Sequence, residues 1–149
     1  MSKLPVVRAA RPEDWDEIMH MCAALHEENG AIDVHWPTVE ETIMAGINKD
    51  FAMIGVIGKP GALQGMGYLK FSRMWYSQTP ILEELFMYVK PEHRRSKNAR
   101  TLLEWAKSTR ERLNVRMIIG VISTDRTAAK IRLYERIFGK PVGGFFFLE

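Results

Sequence analysis

Apolar positions after Pro12 recur at helical spacing, with Trp15, Ile18, Met19, Cys22 and Leu25 on one stripe that Asn29-Gly30 ends. Residues 6–9 before this helix read as a short strand. Residues 31–37 read as a loop, and Thr38 with Glu41 three residues later has the form of a capping box for a second helix through Ile43 and Ile47. Residues 51–57 and 62–71 are strand-like, and Gly58-Lys59-Pro60-Gly61 between them suits a hairpin turn, so antiparallel pairing is expected. Residues 81–89 are apolar on both faces except for Glu83 and Glu84, the pattern of a central strand. Ala99, Leu102, Leu103, Ala106 and Leu113 then share one face of a helix over 98–113. Residues 116–122 predict a strand. Thr124 or Asp125 can cap a helix carrying Ile131, Tyr134 and Ile137, which Gly139 and Pro141 end, and residues 145–148 read as a final strand. The order strand, two helices, three strands, helix, strand, helix, strand predicts an α/β (α+β) fold: a mixed, mostly antiparallel sheet of about six strands flanked by four helices.

Length and composition narrow the picture. A chain of 149 residues with 46% apolar content fits a single domain over residues 1–149 with one core. Net charge is only +3, so the basic residues act through local clustering and not through the global field of a nucleic-acid binder. Cys22 is the single cysteine, which excludes an internal disulfide and a cysteine-rich metal site. His20, Cys22 and His26 do not converge on one helix face, so no metal is expected. No segment approaches the roughly eighteen apolar residues of a membrane span. A soluble, cytoplasmic protein is the expectation.

The clustered charge sits in Val89-Lys90-Pro91-Glu92-His93-Arg94-Arg95-Ser96-Lys97-Asn98-Ala99, which joins an apolar strand to an amphipathic helix through a short basic turn. Unpaired amides at a helix start favour anions, so the turn can hold a pyrophosphate. In isolation the same run reads first as a solvated basic turn. Its place between a buried strand and a helix favours the ligand reading, and the lack of interleaved aromatics argues against nucleic acid.

Val-x-Pro-x-x-Arg, a basic turn, an amphipathic helix, and Leu133-Tyr134 five residues before Gly139 together resemble the Gcn5-related N-acetyltransferase family over nearly the whole chain. The resemblance implies the acyl-CoA N-acyltransferase fold with acetyl-CoA as cosubstrate and an amine as acceptor. It further implies that the turn Arg94, Arg95, Ser96, Lys97, Asn98 and Ala99 binds the pyrophosphate through its amides. The main chain of Met87, Tyr88 and Val89 is then expected to meet the pantetheine arm and the acetyl carbonyl. Lys97 replaces the family's central glycine, which removes backbone freedom and adds a cation. Tyr134 aligns with the tyrosine that protonates the departing thiolate, although a tyrosine at this spacing also suits a core. Thr127 stands where many members carry asparagine.

An attacking amine must lose a proton. Glu83, eleven residues before Arg94, matches the position of the glutamate base of histone-acetylating members, and strict alternation puts it on the face of Leu85, Met87 and Val89. Its alternative is a strand-end carboxylate in water or paired with an arginine, and alternation turns Glu84 the other way. The less regular stretches carry Glu27, Glu28, Asp33, His35 and Trp36, then Arg73, Trp75 and Tyr76, groups able to receive a cationic amine, although solvated loops with a few packing aromatics are the plainer reading. Cys22 is expected too far from the strand wall to act as a relay, so direct attack in a ternary complex is the expected route. The competing hypothesis is a catalytically inactive, CoA-binding regulatory or structural module. The aromatic final strand also offers an edge for a homodimer.

Overall fold

The computed structural model describes residues 5–123 and 125–149. Five strands form one sheet in the order β1-β2-β3-β4-β5: β1 Val7–Ala9, β2 Ala52–Lys59, β3 Ala62–Arg73, β4 Pro80–Val89 and β5 Arg116–Ile118. The first four pair antiparallel, and β5 joins β4 in parallel. The helices are α1 Trp15–Asn29, α2 Trp36–Ile47, α3 Asn98–Leu113 and α4 Thr127–Phe138. The β2–β3 hairpin turns at Pro60-Gly61, where Gly61 takes φ 85°, the left-handed conformation required after a proline in a type II turn.

Helices α1 and α2 cover one face, where Ile18, Met21 and Ile43 pack on Val56, Met66 and Tyr68. Helix α3 covers the other, with Leu102 on Ile57 and Val89, and Ala106 on Leu69 and Leu82. Helix α4 lies beside α3, and Lys107 Nζ donates to the Ile137 carbonyl at 3.2 Å. The start of α1 is fixed to the sheet by Asp14, fully buried, which accepts two bonds from the Arg8 guanidinium at 2.8 and 2.9 Å and one from the Arg11 amide.

Gly55 and Gly67 are paired across β2 and β3 beneath the Trp105 indole of α3. A Cβ on Gly67 would lie 2.5 Å from Met87 Sδ and 3.1 Å from Trp105. Gly67→Ala is therefore expected to destabilise the fold by about 1–3 kcal/mol through overpacking, read as a lower urea midpoint with unchanged slope.

Three sequence expectations need correction. Helix α2 starts at Trp36 and not at Thr38: Pro37 suits the first turn, His35 is the cap residue, and the Thr38 hydroxyl is bonded to the His35 ring at 2.8 Å instead of closing a box with Glu41. Helix α4 starts at Thr127 after Arg126, with no side-chain cap; Thr124 lies outside the described residues. The sheet has five strands because residues 145–148 form none and are exposed. Pro141 lacks a ladder donor, and Gly143 and Gly144 bring no side chain to pack.

Candidate active site

Strand β4 is paired with β5 only from Ile81 to Glu83, so from Leu85 to Val89 its outer edge has no strand partner among the described residues. The Lys90 amide donates to the Gln64 carbonyl at 2.9 Å. Antiparallel alternation then spends the main-chain groups of Tyr88 and Phe86 on β3 and turns those of Met87 and Val89 toward the opening. Of the three residues expected to offer main chain, two face the gap. Tyr88 is buried beneath the Arg94 guanidinium, 5.5 Å from its ring centre.

A β-bulge interrupts β4 at Leu85: Phe86 is opposite Tyr68, but Glu84 is opposite Leu69. The extra residue inverts the alternation. Glu84 consequently shares the α3 face with Leu82, Met87 and Val89, whereas Glu83 lies on the α1/α2 face opposite Lys70. This reverses the facing expected for the two carboxylates. Glu83 Oε2 is 3.8 Å from Lys70 Nζ, and both side chains are about two-fifths exposed. Glu84 is more enclosed, and among the described residues the Gly120 N–H is its one hydrogen-bond donor, at 3.4 Å; burial pushes its pKa up to about 7, and that donor offsets only part of the rise.

Tyr134 of α4 faces the same opening, its ring edge-on to Phe138. Burial and the neighbouring Glu84 charge raise its pKa well above the ordinary phenol value, so its proton is retained. Both carboxylates, Tyr134, Met87 and Phe86 line a single cleft of about 630 Å³, which residues of α1 and α2 close from the other side of the sheet. That volume suits a small-molecule ligand.

The basic turn lies at the start of α3. Lys97 takes φ −85°, so the missing glycine is not required for the observed path. The amides of Arg95, Ser96, Lys97, Ala99 and Arg100 have no hydrogen-bond partner among the described residues. Their neighbours are committed. Arg94 Nε donates to the Val89 carbonyl at 2.8 Å, and its terminal nitrogen reaches both oxygens of Glu28 at 2.7 and 2.9 Å. Buried Asn98 donates to Gln64 Oε1, and Ser96 Oγ bonds the His93 carbonyl. The exposed side chains of Arg95 and Lys97 have no ion pair among the described residues. Free amides and two unpaired cations fit a pyrophosphate, while Arg94 braces the turn against α1. The Thr127 hydroxyl donates to the Ser123 carbonyl at 2.8 Å and is spent there.

Other residues fall differently from expectation. Trp36, Trp75 and Tyr76 do not line the cleft, and the last two project into solvent. Cys22 does line it, so distance does not exclude a relay. Burial pushes its thiol up to about 11, which leaves little thiolate near neutrality. The wall formed by α1 and α2 and the position of Glu84 were missed from the sequence. For Glu84 the one signal was its place beside Glu83 in an otherwise apolar strand.

No curated protein matches the chain. A crystal structure of a probable acetyltransferase has 20% identity and a TM-score of 0.73, over 97% of this chain and 95% of that one. A possible acetyltransferase from Clostridium difficile 630 has 16% identity and a TM-score of 0.72, covering 99% and 98%. AAC(6')-Iy in complex with the bisubstrate analogue CoA-S-monomethyl-acetylneamine has 13% identity and a TM-score of 0.71, covering 99% and 98%. These likenesses establish a shared fold. The pattern of the Acetyltransferase (GNAT) family matches residues 15–139, and the chain belongs to that family.

Proposed function

We propose that this protein transfers an acetyl group from acetyl-CoA to a primary amine by direct attack in a ternary complex. The observation that carries the reading is a convergence at one break in the sheet. An unpaired main-chain edge, a proton-retaining phenol and a carboxylate with a pKa of about 7 meet there, near a helix start with free amides.

The amides between Arg95 and Arg100 hold the pyrophosphate, with Arg95 and Lys97 adding charge from outside. Met87 and Val89 offer their main chain to the pantetheine arm. Because Arg94 occupies the Val89 carbonyl, the groups left are both of Met87 and the Val89 N–H. Acetyl-CoA supplies an acetyl group activated as a thioester. A fixed N–H aimed at its carbonyl oxygen contributes about 3–4 kcal/mol in comparable sites.

Glu84, in preference to Glu83, accepts the proton that the amine must lose, because a carboxylate titrating near 7 is matched to that task. The Tyr134 hydroxyl donates a hydrogen bond at the sulfur. Complete transfer of its proton to a thiolate of ordinary pKa near 8.5 would run uphill, so the phenol serves as a donor that stabilises the leaving group. Glu83 remains on the acceptor side, where it can bind the ammonium.

Acetyl-CoA is expected to raise the melting temperature with a concentration dependence set by its affinity, and a suitable amine to release free thiol. Absence of both effects removes the proposal. Stabilisation without thiol release from any amine leaves a CoA-binding module.

A further inference from the structure

We propose that the acceptor is a primary monoamine next to an apolar body, and not a polycation; this rests on the acetyl-transfer reading and specifies its substrate. The cleft is closed on the α1/α2 side by Leu25, Val39, Ile43 and Phe86, on the opposite face of the sheet from α3 and its basic turn. This wall is therefore separate from the surface that receives the cofactor's phosphates.

Of the polar residues on the same wall, Thr38, Thr42 and His26 are engaged within their own segments, and Asn29 Oδ1 accepts from Ser123 Oγ at 3.4 Å. The Thr42 hydroxyl donates to the Thr38 carbonyl at 2.9 Å, and the Thr38 hydroxyl is bonded to the His35 ring at 2.8 Å. His26 Nε2 bonds the Ile32 carbonyl at 2.7 Å.

Charge points the same way. Glu83 and Glu84 are the only carboxylates among the described lining residues, and Lys130 lines the cleft with them, so the lining carries at most one net negative charge. Glu83 also has Lys70 beside it, and Glu28 is committed to Arg94. One ammonium can be met at Glu83. A second or third would be desolvated against an apolar wall without a partner, a penalty that selects against polycations. An aliphatic or aromatic body instead gains by leaving water.

Such a monoamine can be a free small molecule or the apolar N-terminal residue of a polypeptide. The test measures thiol release with phenethylamine, ethylamine, a peptide beginning with phenylalanine, spermidine and kanamycin, and calorimetric binding of each to the protein–CoA complex. Phenethylamine or the peptide is expected to exceed ethylamine by about 10–200-fold in kcat/KM, and to exceed both polycations by at least about tenfold. The better of the two identifies the source. Val39→Glu is expected to narrow the gap between phenethylamine and spermidine. Preference for spermidine or kanamycin in turnover, or tighter binding of either where turnover is absent, overturns the inference while leaving acetyl transfer intact. Failure of acetyl-CoA to bind overturns the underlying reading instead.

Discussion

Glu84→Gln is expected to lower kcat/KM by about a hundredfold or more and to abolish its rise with pH. The wild-type carboxylate must be ionised to accept a proton, so activity climbs as pH passes the raised pKa of about 7 and levels above it. Glutamine has nearly the same shape and keeps an oxygen for the Gly120 amide, but it cannot take up the proton. A retained limb near pH 7 in the variant would remove Glu84 from the mechanism and return the role to Glu83.

Stability gives an independent reading. A carboxyl group whose folded pKa lies above its ordinary value of 4.5 keeps a proton that the unfolded chain releases. Its contribution therefore becomes less favourable as pH rises from about 4.5 to about 7, and it is constant beyond. Glu84→Gln is expected to melt higher than wild type at pH 8 and to match it at pH 4. A gain in stability together with a loss of activity is the signature of a group strained for function.

Tyr134→Phe is expected to reduce kcat by about 10–100-fold and to leave the KM for acetyl-CoA within about twofold. Only the hydroxyl is removed, and the ring keeps its edge-on packing against Phe138. Since the phenol holds its proton through the neutral range, the variant is expected to keep the limb near pH 7 that Glu84 sets. Steady-state kinetics at pH 6 to 9 separates the two residues. An unchanged kcat would show that the sulfur needs no donor at that point.

Much of the architecture was legible because the relevant signals are local. Helices α1 and α3 follow from apolar spacing, the hairpin from Pro60-Gly61, and the proposed pyrophosphate site from a strand, a basic turn and a helix start in succession. The end of α2 was legible and its beginning was not, since Thr38 forms its hydrogen bond with His35 through a side-chain geometry that spacing does not encode. The aromatic segment at 145–148 has strand composition without a strand. Composition records a preference, whereas pairing needs a neighbour in register.

The carboxylates mark the boundary most clearly. By itself the sequence determined that an acidic pair precedes the basic turn on a central strand and that a tyrosine follows on the last helix. The tertiary structure alone decided which carboxylate meets that tyrosine. Side chains alternate along a regular strand, so one extra residue at Leu85 exchanges the two faces, and that residue is visible only when β4 is read against β3. The opening itself is likewise a property of two strands: β5 leaves β4 after Glu83, and a gap between neighbours is written in neither sequence alone.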